Sequence, residues 1–279
     1  MTLAADYPTQ AVCGALGRPR STFYARSQAT PDGPLKEALL DQAARWPTYG
    51  YRRLTAMRRR AGHEVNGKRV RRLMPELGIA GSPPPRKPRT TDSVHGFPRS
   101  PNLVEGLEVT HPEQVWVADI TYVRRHRGFI SLAVLMDDFT RGIRGWKLGR
   151  SLEGSLALVA LKRALSRGRP AIHHSDQGVQ YAATAYVELL TGRGVAISMA
   201  AVGKPEENGY AERLMRTIKE EEVDLSEYED LADARRQLGR FLDDVSNTKR
   251  IHSALGYLTP AEFEQQWLDM KRSDPSLVT

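Results

Sequence analysis

Apolar residues in the central part of the chain recur at the spacings of short strands and amphipathic helices. Five runs rich in β-branched and aromatic residues predict strands at 115–122, 129–136, 142–148, 171–174 and 195–198. Helical spacing predicts helices at 156–166, 183–191 and 208–223. Short connections between the first three strands favour an antiparallel meander. The order β-β-β-α-β-α-β-α therefore predicts an α/β fold, a mixed five-stranded sheet with helices on its faces.

The first 83 residues are expected to form a small all-α region of helix-turn-helix character. Apolar residues at helical spacing predict short helices separated by turns, several of which contain glycine. Ser21 and Asn66 precede two of these helices, where a side-chain oxygen can accept a hydrogen bond from a free first-turn amide. The predicted helices are 11–16, 21–26, 35–45, 51–61 and 68–77.

The last two of these helices have the features of a DNA groove reader. A helix fits the major groove, and Lys or Arg side chains on its flanks reach phosphates. The alternative interpretation is a solvated helical hairpin without a nucleic-acid partner. The candidate DNA contacts are Arg52, Arg53, Lys68, Arg69, Arg71 and Arg72.

A proline-rich segment separates this region from the predicted sheet. Residues 82–101 contain six prolines, several basic residues and few apolar ones, which predicts a partly extended linker. We therefore expect a helical DNA-binding region, a Pro/Arg-rich linker, an α/β core and a C-terminal helical tail. Their predicted bounds are 1–83, 84–110, 111–225 and 226–279.

The positive charge of the chain is concentrated in one segment. Residues 45–99 hold 14 Lys or Arg and 3 acids, whereas the formal net charge of all 279 residues is only +8. Such concentration favours a polyanionic partner, most often nucleic acid. The apolar runs are too short to span a bilayer, and a secretory signal is not expected. A single cysteine excludes an internal disulfide framework and a cysteine-based zinc site. We expect a cytoplasmic protein.

Three carboxylates occupy positions that favour a functional role. Asp119 lies inside an apolar strand, where an unpaired charge is costly. Asp176 directly follows the fourth strand, and sites in α/β sheets lie just beyond strand ends. Glu212 shares a helix face with Arg216 and Lys219, at i+4 and i+7. That face is suited to a ligand.

Each of these acids also has a structural interpretation. Asp119 is compatible with an ordinary salt bridge, and Asp-Gln-Gly is common in turns. Three carboxylates from separate elements can instead bind a pair of hard divalent cations. Two such ions activate an attacking oxygen and stabilise a leaving oxygen at a phosphodiester. The nearby Glu220, Glu221 and Glu222 are expected to lie on the surface, as most helical glutamates do.

Several other residues are expected to be structural. Trp116 and Tyr122 are predicted to lie in the core or on a sheet face and not to stack on bases. His173 and His174 are adjacent strand residues that point to opposite faces, so at most one can face a site. Cys13 is expected to be a small apolar core residue.

Three sequence blocks resemble the catalytic blocks of the DDE transposases, relatives of the retroviral integrases. They are W-x-A-D-I-T-Y at 116–122, H-S-D-Q-G-x-Q-Y at 174–181 and E-N-G-Y-A-E-R-L-M-R-T-I-K-E-E at 207–221. Between Asp176 and Glu212 lie 35 residues, the spacing that gives the D-D-35-E class its label. The blocks are most similar to those of the OrfB transposases of insertion sequences that move by a copied circular intermediate.

The resemblance extends over nearly the whole chain. Residues 49–79 are similar to the DNA-binding helical domain of that family, and residues 250–263 to its closing motif. The chain departs from the usual pattern in having Gly209 and Tyr210 ahead of the glutamate, and Ser246 and Ile251 where the closing motif usually has Tyr and Pro. The register of the glutamate is unaffected.

The resemblance implies an RNase H-like integrase catalytic core at 111–225, with its first aspartate on the central strand. It also implies that Asp119, Asp176 and Glu212 are both the catalytic residues and the metal ligands. Two Mg²⁺ or Mn²⁺ ions are expected in each active site. Lys219 resembles the integrase lysine that approaches DNA, and Arg216 is expected to contact DNA as well.

The function that these features favour is metal-dependent cleavage and strand transfer of DNA at the ends of a bacterial insertion sequence. One alternative is a DNA-bound regulator of the element with a vestigial catalytic domain. Another is a plain RNase H-like nuclease, against which the basic first hundred residues argue. The expected DNA partners are the terminal inverted repeats and the target, near the nucleoid.

The resemblance also implies protein partners. Two DNA ends must be synapsed, so a homo-oligomer on DNA is expected. The chain has no sustained heptad array that would drive multimerisation. An upstream OrfA-type protein, or a frameshift fusion to it, is therefore a further expected partner.

Overall fold

The computed structural model describes residues 7–20, 32–79, 100–126, 128–152, 154–201 and 205–273. Its first part is helical, as the sequence predicts. The helices are α1 (Thr9–Ala15), α2 (Gly33–Arg45), α3 (Tyr51–Arg60) and α4 (Gly67–Glu76). The predicted helix 21–26 with its cap Ser21, and most of the linker, lie outside the described residues.

The helices α2, α3 and α4 share a small apolar core. Leu39, Leu54, Val70 and Leu73 each contribute a fully buried side chain, one or more from every helix. Asn66 caps α4 as expected, since its Oδ1 accepts a hydrogen bond of 2.9 Å from the backbone amide two residues later. Helical periodicity in the sequence thus identified both the elements and their inner faces.

A five-stranded mixed sheet forms the centre of the fold, with the order β3-β2-β1-β4-β5. The first three strands pair antiparallel, and β4 and β5 run parallel to β1. The predicted meander and the predicted α/β class are therefore confirmed. The strands are β1 (Val115–Arg124), β2 (Phe129–Asp137), β3 (Ile143–Gly149), β4 (Ile172–Ser175) and β5 (Ala196–Met199).

Helices cover both faces of the sheet. In chain order they are α5 (Gly154–Leu165), α6 (Thr184–Thr191), α7 (Gly209–Glu221) and α8 (Leu231–Arg240). Alternate residues of β1 serve the two faces: Trp116 and Ala118 pack with α5 and α6, whereas Val115 and Val117 pack with α7 and α8. The central strand is thus buried on both sides.

The approach between β3 and α5 depends on a glycine. A Cβ built on Gly145 would lie 2.6 Å from the backbone oxygen of Ala160, which is too close for a non-bonded contact of a Cβ atom. The absence of a side chain lets helix and strand pack directly against each other. The helix α5 therefore sits close enough to bury its alanine face.

Residues after α8 join the two parts of the molecule. A π-helical segment, Phe241–Lys249, adds Phe241 and Leu242 to the core beneath α7, and Ile251 enters the core of the N-terminal helices. The backbone amide of Ile251 donates a hydrogen bond of 3.3 Å to the Tyr49 hydroxyl. The last helix is α9 (Pro260–Ser273). The departures from the closing motif, Ser246 and Ile251, are both buried.

One expectation about α7 is wrong. The pattern predicts Glu221 on the surface, but only 7% of its side chain is exposed. Two arginines that are distant in sequence neutralise its carboxylate. Single-helix periodicity does not reveal such a contact, because it depends on where two other parts of the chain lie. Nowhere in the described ranges is there a helix long and apolar enough to span a bilayer.

Candidate active site

Asp119 and Asp176 lie side by side at the centre of the sheet. Ala118 and Ser175 are partners in the parallel pairing of β1 with β4. Asp119 is the next residue of β1, and Asp176 is the first residue after the end of β4. Asp119 shares its side of the sheet with Val115 and Val117, the side that α7 covers. Both aspartates are partly buried.

A backbone amide close in sequence donates a hydrogen bond to each carboxylate. Asp119 Oδ1 accepts a hydrogen bond of 2.7 Å from the Ile120 amide, and Asp176 Oδ1 accepts one of 3.0 Å from the Gly178 amide. Gln177, between Asp176 and Gly178, is buried and donates a hydrogen bond of 3.0 Å to the Ala200 carbonyl. The Asp-Gln-Gly segment is therefore a structural turn that also presents a carboxylate at the strand end.

The third carboxylate comes from the first turn of α7. Glu212 is exposed on the flank of a helix whose opposite residues are anchored in the core. The anchoring residues on α7 are Ala211, Leu214, Met215 and Ile218. Packing of the helix on the sheet therefore sets the distance of Glu212 from Asp119.

The Glu207 carboxylate is engaged in hydrogen bonds just before the start of α7. Its Oε2 accepts hydrogen bonds of 2.8 Å from Asn102 Nδ2 and from the Ala201 amide. Its backbone oxygen lies 3.0 Å from His174 Nε2, and the other ring nitrogen of that histidine lies 2.8 Å from Ser198 Oγ. His174 is therefore structural, as expected.

The electrostatics of Asp119 show that the three carboxylates share one neighbourhood. Burial, as the largest cause, together with the charges of Asp176 and Glu212 raises the pKa of Asp119 from 3.8 to about 7. The hydrogen bond from Ile120 and the charge of Lys219 act in the opposite direction. Negative charge thus accumulates at this point of the sheet without full compensation.

The residues suit a hard cation although they do not form a closed cage. Among the described residues, no three His, Cys, Asp or Glu side chains lie close enough together to hold a metal ion. The donor set nevertheless consists of carboxylate oxygens, which Mg²⁺ and Mn²⁺ prefer. A cation at this place would also relieve the repulsion that raises the pKa of Asp119.

Three buried aromatic side chains pack together near Asp119 and Asp176. The rings of His173, Tyr181 and Tyr186 lie 5.4–6.2 Å apart, and the Tyr186 hydroxyl is 2.8 Å from His173 Nε2. The Tyr181 hydroxyl is buried without a hydrogen-bond partner among the described residues. Burial and the charges of Asp119 and Asp176 raise the pKa of Tyr181. The sequence predicted a structural role for His173 but not its contacts with Tyr181 and Tyr186, although Tyr181 ends the second block.

The predicted DNA contacts fall into two groups. Exposed cations without a carboxylate partner among the described residues are Arg52, Lys68, Arg71 and Arg216. Arg53 pairs with Glu221 at 3.0 Å, and Arg69 and Arg72 pair with Asp32 at 2.7 Å. Lys219 is partly buried near Asp119. No described contact joins the cations of α4 to Asp119, Asp176 or Glu212.

The burial of their side chains tests the residues that were expected to be structural. Trp116 is fully buried and Cys13 is buried, whereas 49% of Tyr122 is exposed on its sheet face. His173 is buried, and burial together with the neighbouring His174 lowers its pKa to about 3. Burial also lowers the pKa of His174, so the environment disfavours the cationic form of both rings.

Comparisons with known proteins match this architecture along the chain. Two models described as "Integrase core domain" match residues 109–205 and 193–260, and one described as "HTH-like domain" matches residues 32–88. The transposase for insertion sequence element IS904 of Lactococcus lactis is 31% identical over 221 residues, 78% of this chain and 87% of that protein. The chain belongs to the insertion-sequence transposases. The resemblance of its sequence blocks to that family is confirmed.

Other transposases of this family align over most of the chain. The transposase for element IS629 of Shigella sonnei is 30% identical over 280 residues, 95% of this chain and 94% of that protein. Transposase InsF for IS3A of Escherichia coli is 31% identical and covers 78% of this chain and 77% of its own length. The catalytic core domain of HTLV-2 integrase, solved in complex with magnesium, aligns with a TM-score of 0.45 at 17% identity, over 55% of this chain and 97% of that domain. The transposase thus has an integrase core with a helix-turn-helix-like region before it.

Proposed function

We propose that this transposase cleaves DNA at the ends of its insertion sequence and joins the freed strands to a target, with Asp119, Asp176 and Glu212 as the catalytic carboxylates. The observation that carries the proposal is the neighbouring position of the two aspartates, Asp119 on β1 and Asp176 at the end of the parallel strand β4, with the charge of Glu212 acting on Asp119. This arrangement requires three separate elements to converge. It does not follow from the needs of the core.

The same carboxylates would hold the metal, Mg²⁺ or Mn²⁺, as one ion or a pair. When bound, such ions supply activation of the attacking oxygen and stabilisation of the leaving oxygen of a phosphodiester. Asp119 is held rigidly by β1, and Asp176 by its turn. Glu212 is exposed and therefore free to adjust its side chain toward a ligand. The attacking group would be water for cleavage and a 3′-hydroxyl for joining.

The residues around the triad would position the DNA. Lys219 and Arg216 lie on the same flank of α7 as Glu212 and would contact phosphates near the reacting bond. Arg52, Lys68 and Arg71 would contact DNA at the helical region, residues 1–83. The linker at 84–110 would connect this region to the integrase core. Synapsis of two ends implies a homo-oligomer on DNA, and an OrfA-type upstream protein, or a frameshift fusion to it, would assist that multimerisation.

The experiment is strand cleavage and joining on labelled DNA that carries the element's own ends, with Mg²⁺ or Mn²⁺. Wild type is compared with Glu212→Gln, which removes the charge and keeps the size, and with Glu220→Gln on the same helix. We expect Glu212→Gln to bind DNA and to lose joining activity by at least about a hundredfold, because loss of even an outer residue of a metal site costs 10–100-fold. Glu220→Gln should remain active.

Two outcomes would change the conclusion. If wild type and Glu212→Gln bind DNA and neither reacts, even with the upstream partner added, the protein is a DNA-binding regulator with a vestigial core. If both react equally, Glu212 is not the catalytic glutamate. Cutting without joining by wild type would instead indicate a nuclease.

A further inference from the structure

A second feature of α7 lies on the flank opposite Glu212. Tyr210, Arg213 and Thr217 follow one another at helical spacing and line a cavity of about 150 Å³. Helix geometry places this stripe on one side of the buried face of α7 and Glu212 on the other. The remaining walls come from α3, from the end of β2 and the turn after it, and from the π-helical segment and the residues that follow it. The cavity is therefore formed where the N-terminal helices, the integrase core and the C-terminal residues meet.

The lining of this cavity is strongly basic, and we call it the arginine pocket. No Asp or Glu occurs among its described lining residues. Four arginines and one histidine converge there from four different parts of the chain. They are Arg53, Arg141, Arg213, Arg250 and His252.

Nearby carboxylates neutralise only part of this charge. Glu221 pairs with Arg250 at 2.7 Å and with Arg53 at 3.0 Å, and Asp138 pairs with Arg141. Two carboxylates against four guanidinium groups leave an excess of two positive charges. Arg213, which is exposed, forms no ion pair within the described ranges.

The pKa of His252 is affected by this positive potential. Burial lowers the pKa of His252 to about 3, and the charges of Arg250, Arg53 and Arg141 contribute to that shift. The ring is therefore neutral. Its Nε2 lies 3.0 Å from an Nη of Arg250 and acts as the acceptor, which places the ring proton on Nδ1. His252 can thus donate one more hydrogen bond.

We propose that the arginine pocket binds a backbone phosphate of DNA, with Arg213 as its exposed donor and the buried arginines as a fixed positive background. A phosphodiester carries one negative charge and several acceptor oxygens, which matches the uncompensated charge and the free donors of the pocket. The pocket adjoins α3. A duplex held by the helical region, as proposed above, would pass near it. The choice of DNA as the ligand rests on the proposed function.

The test uses the full chain and a labelled duplex of arbitrary sequence, because phosphate contacts are independent of sequence. Dissociation constants are measured over a range of salt concentrations for wild type, Arg213→Ala and Arg193→Ala. Arg193 is an exposed arginine after α6, on the opposite side of the sheet, and serves as the matched control. Thr217→Glu places a negative charge in the same pocket without altering an arginine.

We expect Arg213→Ala to weaken binding roughly tenfold and to reduce the salt slope by about one unit, the value for one lost phosphate contact. Thr217→Glu should weaken binding at least as much, and Arg193→Ala should not. Unchanged melting temperatures would establish that the variants are folded. The proposal is overturned if Arg213→Ala, Thr217→Glu and Arg193→Ala all bind as wild type does.

A separate measurement distinguishes this proposal from the proposed function. Glu212→Gln should still bind the labelled duplex but should not join DNA ends, whereas Arg213→Ala should have a reduced salt slope of binding. If Glu212→Gln is active while Arg213→Ala has a reduced salt slope, the catalytic assignment fails and the pocket stands. If wild type binds no duplex at all, both proposals fail.

Discussion

Glu221 accepts two hydrogen bonds from the guanidinium group of Arg250, one to each carboxylate oxygen and both at 2.7 Å. Both side chains are nearly inaccessible, with 7% and 4% of their surfaces exposed. A third contact, of 3.0 Å, comes from Arg53. The helix that carries Glu212 at its start is therefore tied at its end to the N-terminal helices and to the C-terminal segment.

Removal of the Glu221 carboxylate is expected to destabilise the fold. Glu221→Gln would leave two guanidinium groups buried without their counter-charge, which typically costs about 3–5 kcal/mol. Glu220→Gln, one residue earlier on α7, should change stability by no more than about 0.5 kcal/mol. Chemical denaturation of the three proteins measures both effects. Equal stabilities would mean that the ion pair is not needed to hold the parts together.

Asp119 is expected to make the metal-free protein sensitive to pH. Because folding raises the pKa of this carboxyl from 3.8 to about 7, its stabilising contribution is complete below the lower value and is lost as the pH rises through the upper one. Asp119→Asn removes the ionised form that is costly at pH 8. Without metal, the variant should therefore melt above wild type at pH 8, by about 2–4 °C for each kcal/mol gained.

The same comparison contains its own control. The difference between Asp119→Asn and wild type should shrink steadily as the pH is lowered from 7 toward 4, since wild type then takes up a proton on folding. A difference in melting temperature that does not depend on pH would show that the substitution acts through packing.

Addition of Mg²⁺ or Mn²⁺ is expected to stabilise wild type and to have little effect on Asp119→Asn. A ligand that binds only the folded state raises its stability in proportion to the logarithm of the ligand concentration, about 2.7 kcal/mol at a hundred times the dissociation constant. Differential scanning fluorimetry at pH 8, with Ca²⁺ and a monovalent salt of equal ionic strength as controls, measures the shift. If Asp119→Asn responds as wild type does, the cation binds elsewhere.

Tyr181 and Tyr186 are expected to respond to the same substitution with opposite signs. The Tyr181 hydroxyl is buried with no partner among the described residues, so Tyr181→Phe should stabilise the protein by about 1 kcal/mol. The Tyr186 hydroxyl is paired with His173 at 2.8 Å, so Tyr186→Phe should destabilise it by about 1–3 kcal/mol. Denaturation midpoints check both. A loss of stability in Tyr181→Phe would mean that its hydroxyl has a partner in solution.

Two neighbouring cations on α4 are expected to differ in their roles. Lys68 is exposed and has no carboxylate partner within the described residues, whereas Arg69 is tied to Asp32 at 2.7 Å. Lys68→Ala should therefore lower DNA affinity and reduce its salt slope by about one unit. Arg69→Ala should act mainly on the stability of the helical region. Salt-dependent binding and thermal melting of both variants separate the two effects, and the reverse pattern would contradict the assignment.

The sequence by itself determined the elements, the fold class and the family of this protein. The β-branched and aromatic residues of β1 and the helical spacing in α4 and α7 specify local structure, because strands favour such residues and the side-chain period of a helix is fixed by backbone geometry. The three sequence blocks, in their order and spacing, carried the resemblance that the comparisons confirm. They also directed attention to Asp119, Asp176 and Glu212, whose catalytic role stays a proposal.

The tertiary structure alone decided which charges meet. Periodicity places Glu221 on a helix surface but contains no information about Arg53 and Arg250, which lie 168 and 29 residues away. Likewise, the arginine pocket is assembled from residues that no local pattern connects. Coulomb interactions and burial depend on distances in space, and those distances are set only when the sheet, the N-terminal helices and the C-terminal segment pack together.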